Sequence, residues 1–125
     1  MIKSFLLVGL GGGVGSMARY LCQKWFNENY PHPFPWGTFT VNLVGCFLIG
    51  IIYAASEKTT VLSPQTRLLL ITGLCGGFTT FSTFAFENMT LLRTGDVFYF
   101  FLYAVGSVVL GIAAVYIGSF IIKLL

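Results

Sequence analysis

Three long stretches of this chain carry no charged residue, and a fourth comes close, each with a length suited to crossing a lipid bilayer. The uncharged runs are Asn29 to Ser56, Leu68 to Phe86 and Val97 to Ile122. A helix needs about 20 apolar residues to cross the roughly 30 Å hydrocarbon core. The first segment, about Ile2 to Phe26, holds Lys3 and Arg19, whose long side chains can snorkel toward the interfaces. Of the 125 residues, 56% are hydrophobic and 9% charged, against about 25% charged in an ordinary soluble domain. Lipid must therefore solvate most of this surface. The sequence predicts an all-α membrane protein, one domain over residues 1–125, with four transmembrane helices.

A cleavable signal peptide is the competing reading of the first segment: a Lys, an apolar run and the small-residue triplet Ser16-Met17-Ala18. Five glycines between Gly9 and Gly15, with no soluble domain after them, favour a membrane helix. The connections read as Asn27 to Trp36, with Pro31, Pro33 and Pro35, then Glu57 to Gln65 and Asn88 to Asp96. None is large enough to hold a soluble active site.

Successive connections lie on opposite sides of a membrane, so Lys3, Lys58, Arg67 and Lys123 share one side, and Arg19, Lys24 and Arg93 the other. Four against three is almost no positive-inside bias. Such a chain is expected to insert both ways and to pair as an antiparallel homodimer. The alternative is that the small difference, or another partner, sets one orientation.

Enzyme chemistry finds no support. Cys22, Cys46 and Cys75 lie in three different helices without metal-ligand spacing and read as packing residues. His32 stands alone in the proline-rich connection and reads as a solvated loop residue. There is no carboxylate pair, no nucleophile-base set in the membrane segments and no phosphate-binding loop.

The polar residues at membrane depth are informative because lipid makes them costly. Thr38 and Asn42 share a face four residues apart. Asn42 can make an interhelical hydrogen bond, worth about 1–2 kcal/mol in model peptides, or offer amide N–H groups to an anion. In the third segment Gly73, Gly76 and Gly77 precede Phe78-Thr79-Thr80-Phe81-Ser82-Thr83-Phe84, and Glu87 follows. Two adjacent glycines before hydroxyl residues predict a broken third helix, whose freed backbone groups need partners. A tight glycine-mediated helix contact is the other reading, and the two are compatible. Beyond the break Phe81 and Phe84 share a face, with Thr80, Thr83 and Glu87 as a neighbouring polar stripe. In the last segment Tyr103 and Ser107 align four apart, and Gly111 continues that line.

Three blocks, GGVGSMARY from Gly12, GTFTVNLVGCFLIG from Gly37 and GLCGGFTTFSTFAFE from Gly73, resemble the Fluc (CrcB) fluoride channel family and together reach over nearly the whole chain. The resemblance implies a fluoride-specific channel of the bacterial inner membrane, exporting the anion passively. It implies a small antiparallel, dual-topology homodimer with two fluoride pathways and a central structural sodium ion. Asn42 would line the pore, Phe81 and Phe84 would present ring edges to the anion, and Thr83, Tyr103 and Ser107 would form a polar track. The backbone carbonyls of Gly76 and Thr79 would hold the sodium, and Arg19 would sit in the aqueous vestibule. Family members often carry a hydroxyl where this chain has Gly111. The implied partners are fluoride, the bilayer and a second copy, with no nucleic acid.

A pathway for fluoride must replace water with close donors, which Asn, Thr, Ser and an aromatic edge can supply. Two other classes fit the size: a small dual-topology multidrug exporter and a non-conducting membrane scaffold. The exporter needs an ionisable carboxylate deep in its first helix, where this chain has none. The scaffold leaves Asn42, Phe81 and Phe84 unexplained.

Overall fold

A computed structural model describes residues 1–125. The chain is all-helical: α1 (Ile2–Asn29), α2 (Trp36–Lys58), α3 (Pro64–Arg67), a π-helical stretch (Leu68–Cys75), α4 (Gly76–Phe78), α5 (Phe81–Arg93) and α6 (Val97–Leu124). Four spans are long and apolar enough to cross a membrane, with α3 to α5 forming the third, Pro64–Arg93. In lipid this is the economical solution, because a helix satisfies its backbone groups internally.

The connections are shorter than the charge pattern indicates. Helix α1 runs on to Asn29, and α2 holds Glu57 and Lys58. Asn88 lies inside α5, where its Nδ2 donates to the Phe84 carbonyl at 2.9 Å, so only Thr94 to Asp96 separate α5 from α6. Gly95 ends α5 at φ 84°, with its N–H on the Leu92 carbonyl and that of Asp96 on the Leu91 carbonyl. That pair of bonds closes a Schellman cap, which needs a left-handed residue and so favours glycine. At the other end of the third span, Ser63 caps α3 by accepting from Thr66 N at 3.1 Å, with Pro64 in the first turn.

Helix α2 packs chiefly on α6, and α1 on the π-helical stretch and α4. Small residues let these backbones meet. A Cβ on Gly15 would overlap the Leu74 carbonyl, and one on Gly50 would overlap that of Val115. Close approach of this kind gains dispersion energy where no hydrophobic force drives helices together. Few side chains are wholly enclosed: Tyr103, Val41, Thr38 and Cys75. Large apolar side chains cover the outside, as a lipid-facing surface requires.

Candidate functional site

Between α4 and α5 the backbone is extended at two residues, Thr79 (φ −84°, ψ 157°) and Thr80 (φ −149°, ψ 122°). The glycine pair ahead of them stays helical, with Gly76 at φ −62° and ψ −39°. Three backbone donors here have identified partners. Thr79 N–H and Oγ1 both donate to the Cys75 carbonyl, at 3.0 and 2.9 Å. Thr80 N–H, which in a continuous helix would close onto the Gly76 carbonyl, donates to Asn42 Oδ1 at 2.8 Å. Thr83 N–H, which would close onto the Thr79 carbonyl, donates to Thr80 Oγ1 at 3.2 Å. Carbonyls 76 to 79 all lose their helical donors across this step, those of Gly76 and Thr79 because the donors turn to Asn42 and Thr80.

Asn42 also donates from Nδ2 to the Thr80 carbonyl at 3.1 Å. Of the two roles open to it, the interhelical bond is made, yet one amide hydrogen remains, since the group has two donors. Arg19 reaches across from α1 and donates from Nε to the Gly77 carbonyl at 3.1 Å, half-buried beside the end of α4. A guanidinium at a helix C-terminus also complements the dipole.

Asn42, Thr79, Thr80, Phe81, Phe84 and Ser107 come together on a cavity of about 270 Å³ that no charged side chain lines. Ser107 Oγ is buried there with no hydrogen-bond partner. The Phe81 and Phe84 rings lie 5.8 Å apart, tilted by 46°. Phe81 is 78% exposed on the single chain, whereas Phe84 packs on Tyr103 with centroids 4.9 Å apart. Cys46 lines the same cavity, and its Sγ lies 3.6 Å from where a Cβ on Gly111 would stand. Spacing alone marked Cys46 as a packing residue, because nothing in the sequence shows which face of α2 the cavity takes.

Thr83 lines a second cavity, of about 350 Å³, with Thr38, Gln23 and Glu87. Tyr103, fully buried, donates from its hydroxyl to Glu87 Oε1 at 2.9 Å, and Gln23 Nε2 donates to Thr38 Oγ1 at 3.0 Å. Tyr103 lines neither cavity: it stands between them, its hydroxyl on Glu87 of the larger and its ring on Phe84 of the smaller, whereas Ser107 lines the smaller one, although the two align on one helix face. Glu87 and Thr38 belong with the polar set, and their place at one helical turn from Thr83 and Asn42 was the available signal. His32 is an exposed loop residue, as expected, but it has partners: it accepts the Phe34 N–H on Nδ1 at 3.0 Å and meets the Tyr99 ring edge-on at 5.2 Å. The proline-rich turn folds back on itself and supplies the first of these.

Comparison with known proteins covers nearly the whole chain. The family described as "CrcB-like protein, Camphor Resistance (CrcB)" matches residues 6–119. A protein of Leptospira interrogans named "Fluoride-specific ion channel FluC" is 47% identical over 121 residues, 97% of this chain and 95% of its own length. Proteins with the same name from Chlorobium luteolum and Phocaeicola vulgatus are 52% identical over 115 residues and 50% over 117, covering 92% and 94% of this chain and 88% and 96% of their own. Four membrane-length helices, the Asn42–Thr80 clasp in mid-span and this match together lead to one conclusion: the chain is a multi-pass membrane protein and belongs to the CrcB family.

Proposed function

We propose that this chain is a fluoride-specific channel that lets the anion leave a bacterial cytoplasm passively across the inner membrane. The observation that carries the reading is the Ser107 hydroxyl, buried without a partner on a cavity with no charged lining. A buried, unpaired donor at membrane depth is costly unless something uses it. Beside it stand the remaining Asn42 amide hydrogen and the Phe81 ring. These groups suit a small, strongly hydrated anion, which needs several close donors in exchange for water. The absence of a fixed cation on this lining favours passage over trapping. The membrane potential then supplies about 2.3 kcal/mol per charge per 100 mV, enough to drive exit without fuel. The names of relatives that match almost end to end support the same ion.

The working unit in this reading is an antiparallel homodimer of chains inserted both ways. Phe81 is mostly exposed on one chain while its neighbours Asn42 and Phe84 are sheltered, so the cavity lacks an outer wall that an inverted copy would supply. The extended residues Thr79 and Thr80 act as the break of the third span. The Gly76 and Thr79 carbonyls, relieved of their helical donors, fit a hard, oxygen-seeking cation. Sodium held by these carbonyls from two copies would join the chains and would not be transported. Thr83 and Glu87 extend the polar lining toward one end, with Tyr103 donating to Glu87 from behind, and Arg19 steadies the Gly77 carbonyl beside the break.

The test is ion efflux from liposomes that hold the purified chain. Rapid release of fluoride under a potassium-valinomycin potential, without release of chloride, is the expected result. No fluoride release from correctly folded protein would overturn the reading.

A further inference from the structure

The formal net charge of +3 is concentrated at one end of the molecule. Lys3 near the start of α1, Lys58 at the end of α2, Arg67 in α3 and Lys123 near the end of α6 stand there against Glu57 alone. Lys58 Nζ donates to the Ile122 carbonyl at 3.0 Å, so α2 and α6 do end side by side. At the opposite end Lys24 and Arg93 are balanced by Glu28 and Asp96, and within the span Arg19 is balanced by Glu87. Arg67 has no ion pair or side-chain hydrogen bond within the chain, and it borders a cavity of about 280 Å³. Tyr53 of α2 and Thr72, Leu68 and Ile71 of the π-helical stretch form the other walls.

We propose that this cavity is a binding site for an anionic glycerophospholipid, with the headgroup phosphate on Arg67 and an acyl chain along Leu68 and Ile71. Charge complementarity selects the occupant: the surrounding end is basic, and the free guanidinium offers the planar fork that pairs with phosphate oxygens. Position selects a lipid over a soluble anion. Arg67 sits where the uncharged run begins, and the exposed Tyr53 has the amphipathic ring found at headgroup level. Thr72 adds a hydroxyl one helical turn deeper. The site rests on the membrane topology alone and does not depend on which ion the protein carries.

The experiment is native mass spectrometry of the purified full chain with equimolar dioleoyl phosphatidylglycerol and dioleoyl phosphatidylcholine. Wild type should retain the anionic lipid in preference by about fivefold or more, the factor that one basic residue near a charged lipid surface contributes. Arg67→Gln should bring the two lipids close to parity, while Lys3→Gln, an equal loss of charge at the same end, should leave most of the preference. Arg67→Lys and Tyr53→Leu should each lose part of it, and they carry the test if Arg67→Gln does not fold. Equal losses in Lys3→Gln and Arg67→Gln would mean a diffuse basic surface and overturn the site. So would no preference in wild type, as expected if a second copy covers the cavity, or displacement of the lipid by equimolar inorganic phosphate.

Discussion

Asn42 and Thr80 exchange two hydrogen bonds across the α2–α5 contact: the side-chain amide donates to the Thr80 carbonyl at 3.1 Å, and its oxygen accepts the Thr80 N–H at 2.8 Å. One side chain thereby replaces the helical partners that an extended residue gives up in mid-membrane. It also holds the start of α5, and with it Phe81 and Phe84, at a set distance from α2.

Removing the clasp should destabilise the chain. Asn42→Leu strands both backbone groups of Thr80, each worth about 1–3 kcal/mol when left unsatisfied. Unfolding in mixed micelles by SDS titration should report a loss on the order of 2–5 kcal/mol. Asn42→Asp can still accept from Thr80 N–H but sets a second oxygen against the Thr80 carbonyl and puts a negative charge on the cavity. Fluoride efflux from that variant should be abolished, and wild-type flux would remove Asn42 from the pathway.

The two phenylalanines should separate packing from conduction. Phe81 is largely exposed on the single chain, so Phe81→Ile should cost the fold under about 1 kcal/mol while flux falls sharply through loss of the ring edge. Phe84 packs on Tyr103, so Phe84→Ile should cost about 1.5 kcal/mol or a little more as well as flux. Liposome efflux on folded variants, paired with unfolding curves, measures both. Normal flux in Phe81→Ile would place the anion elsewhere.

Carbonyl coordination of sodium predicts an unusual order of sensitivity. Thr79→Ala loses a hydroxyl bond to the Cys75 carbonyl but keeps the Thr79 carbonyl, and it should retain sodium-dependent activity. Gly76→Pro removes the N–H that bonds back to the Gly73 carbonyl and distorts the turn. It should lose that dependence together with flux. Activity measured in sodium against N-methylglucamine reads the difference, and indifference to sodium in wild type would leave the extended pair with a packing role only.

Four basic residues on one side against three on the other predict insertion in both orientations. Reporter fusions at the C-terminus should find comparable populations on each side of the membrane. Two or three lysines added between Thr94 and Asp96, the true extent of that turn, should bias insertion and lower activity in a host that carries only this gene. A single orientation in the unmodified protein would sink the antiparallel pair.

The spans and their number were legible in the linear order of residues because lipid penalises charge so strongly that uncharged runs mark membrane depth. The blocks around Asn42, Thr79 and Phe81 were legible too, since polar residues in such runs need a reason. Which groups satisfy one another was settled only by tertiary packing. Gly76 and Gly77 drew attention as the break, yet their backbone stays helical while Thr79 and Thr80 turn extended. An extended residue is tolerable in lipid only where another helix supplies partners, and Asn42, thirty-eight positions away, supplies them. The π-helical winding of Leu68–Cys75 has no local signature in these apolar residues. That Ser107 lines a cavity while Tyr103 is enclosed against Glu87 and Phe84 follows from where α5 packs on α6. Helical spacing could set those two residues on one face, but only the packed neighbour decides what each of them meets.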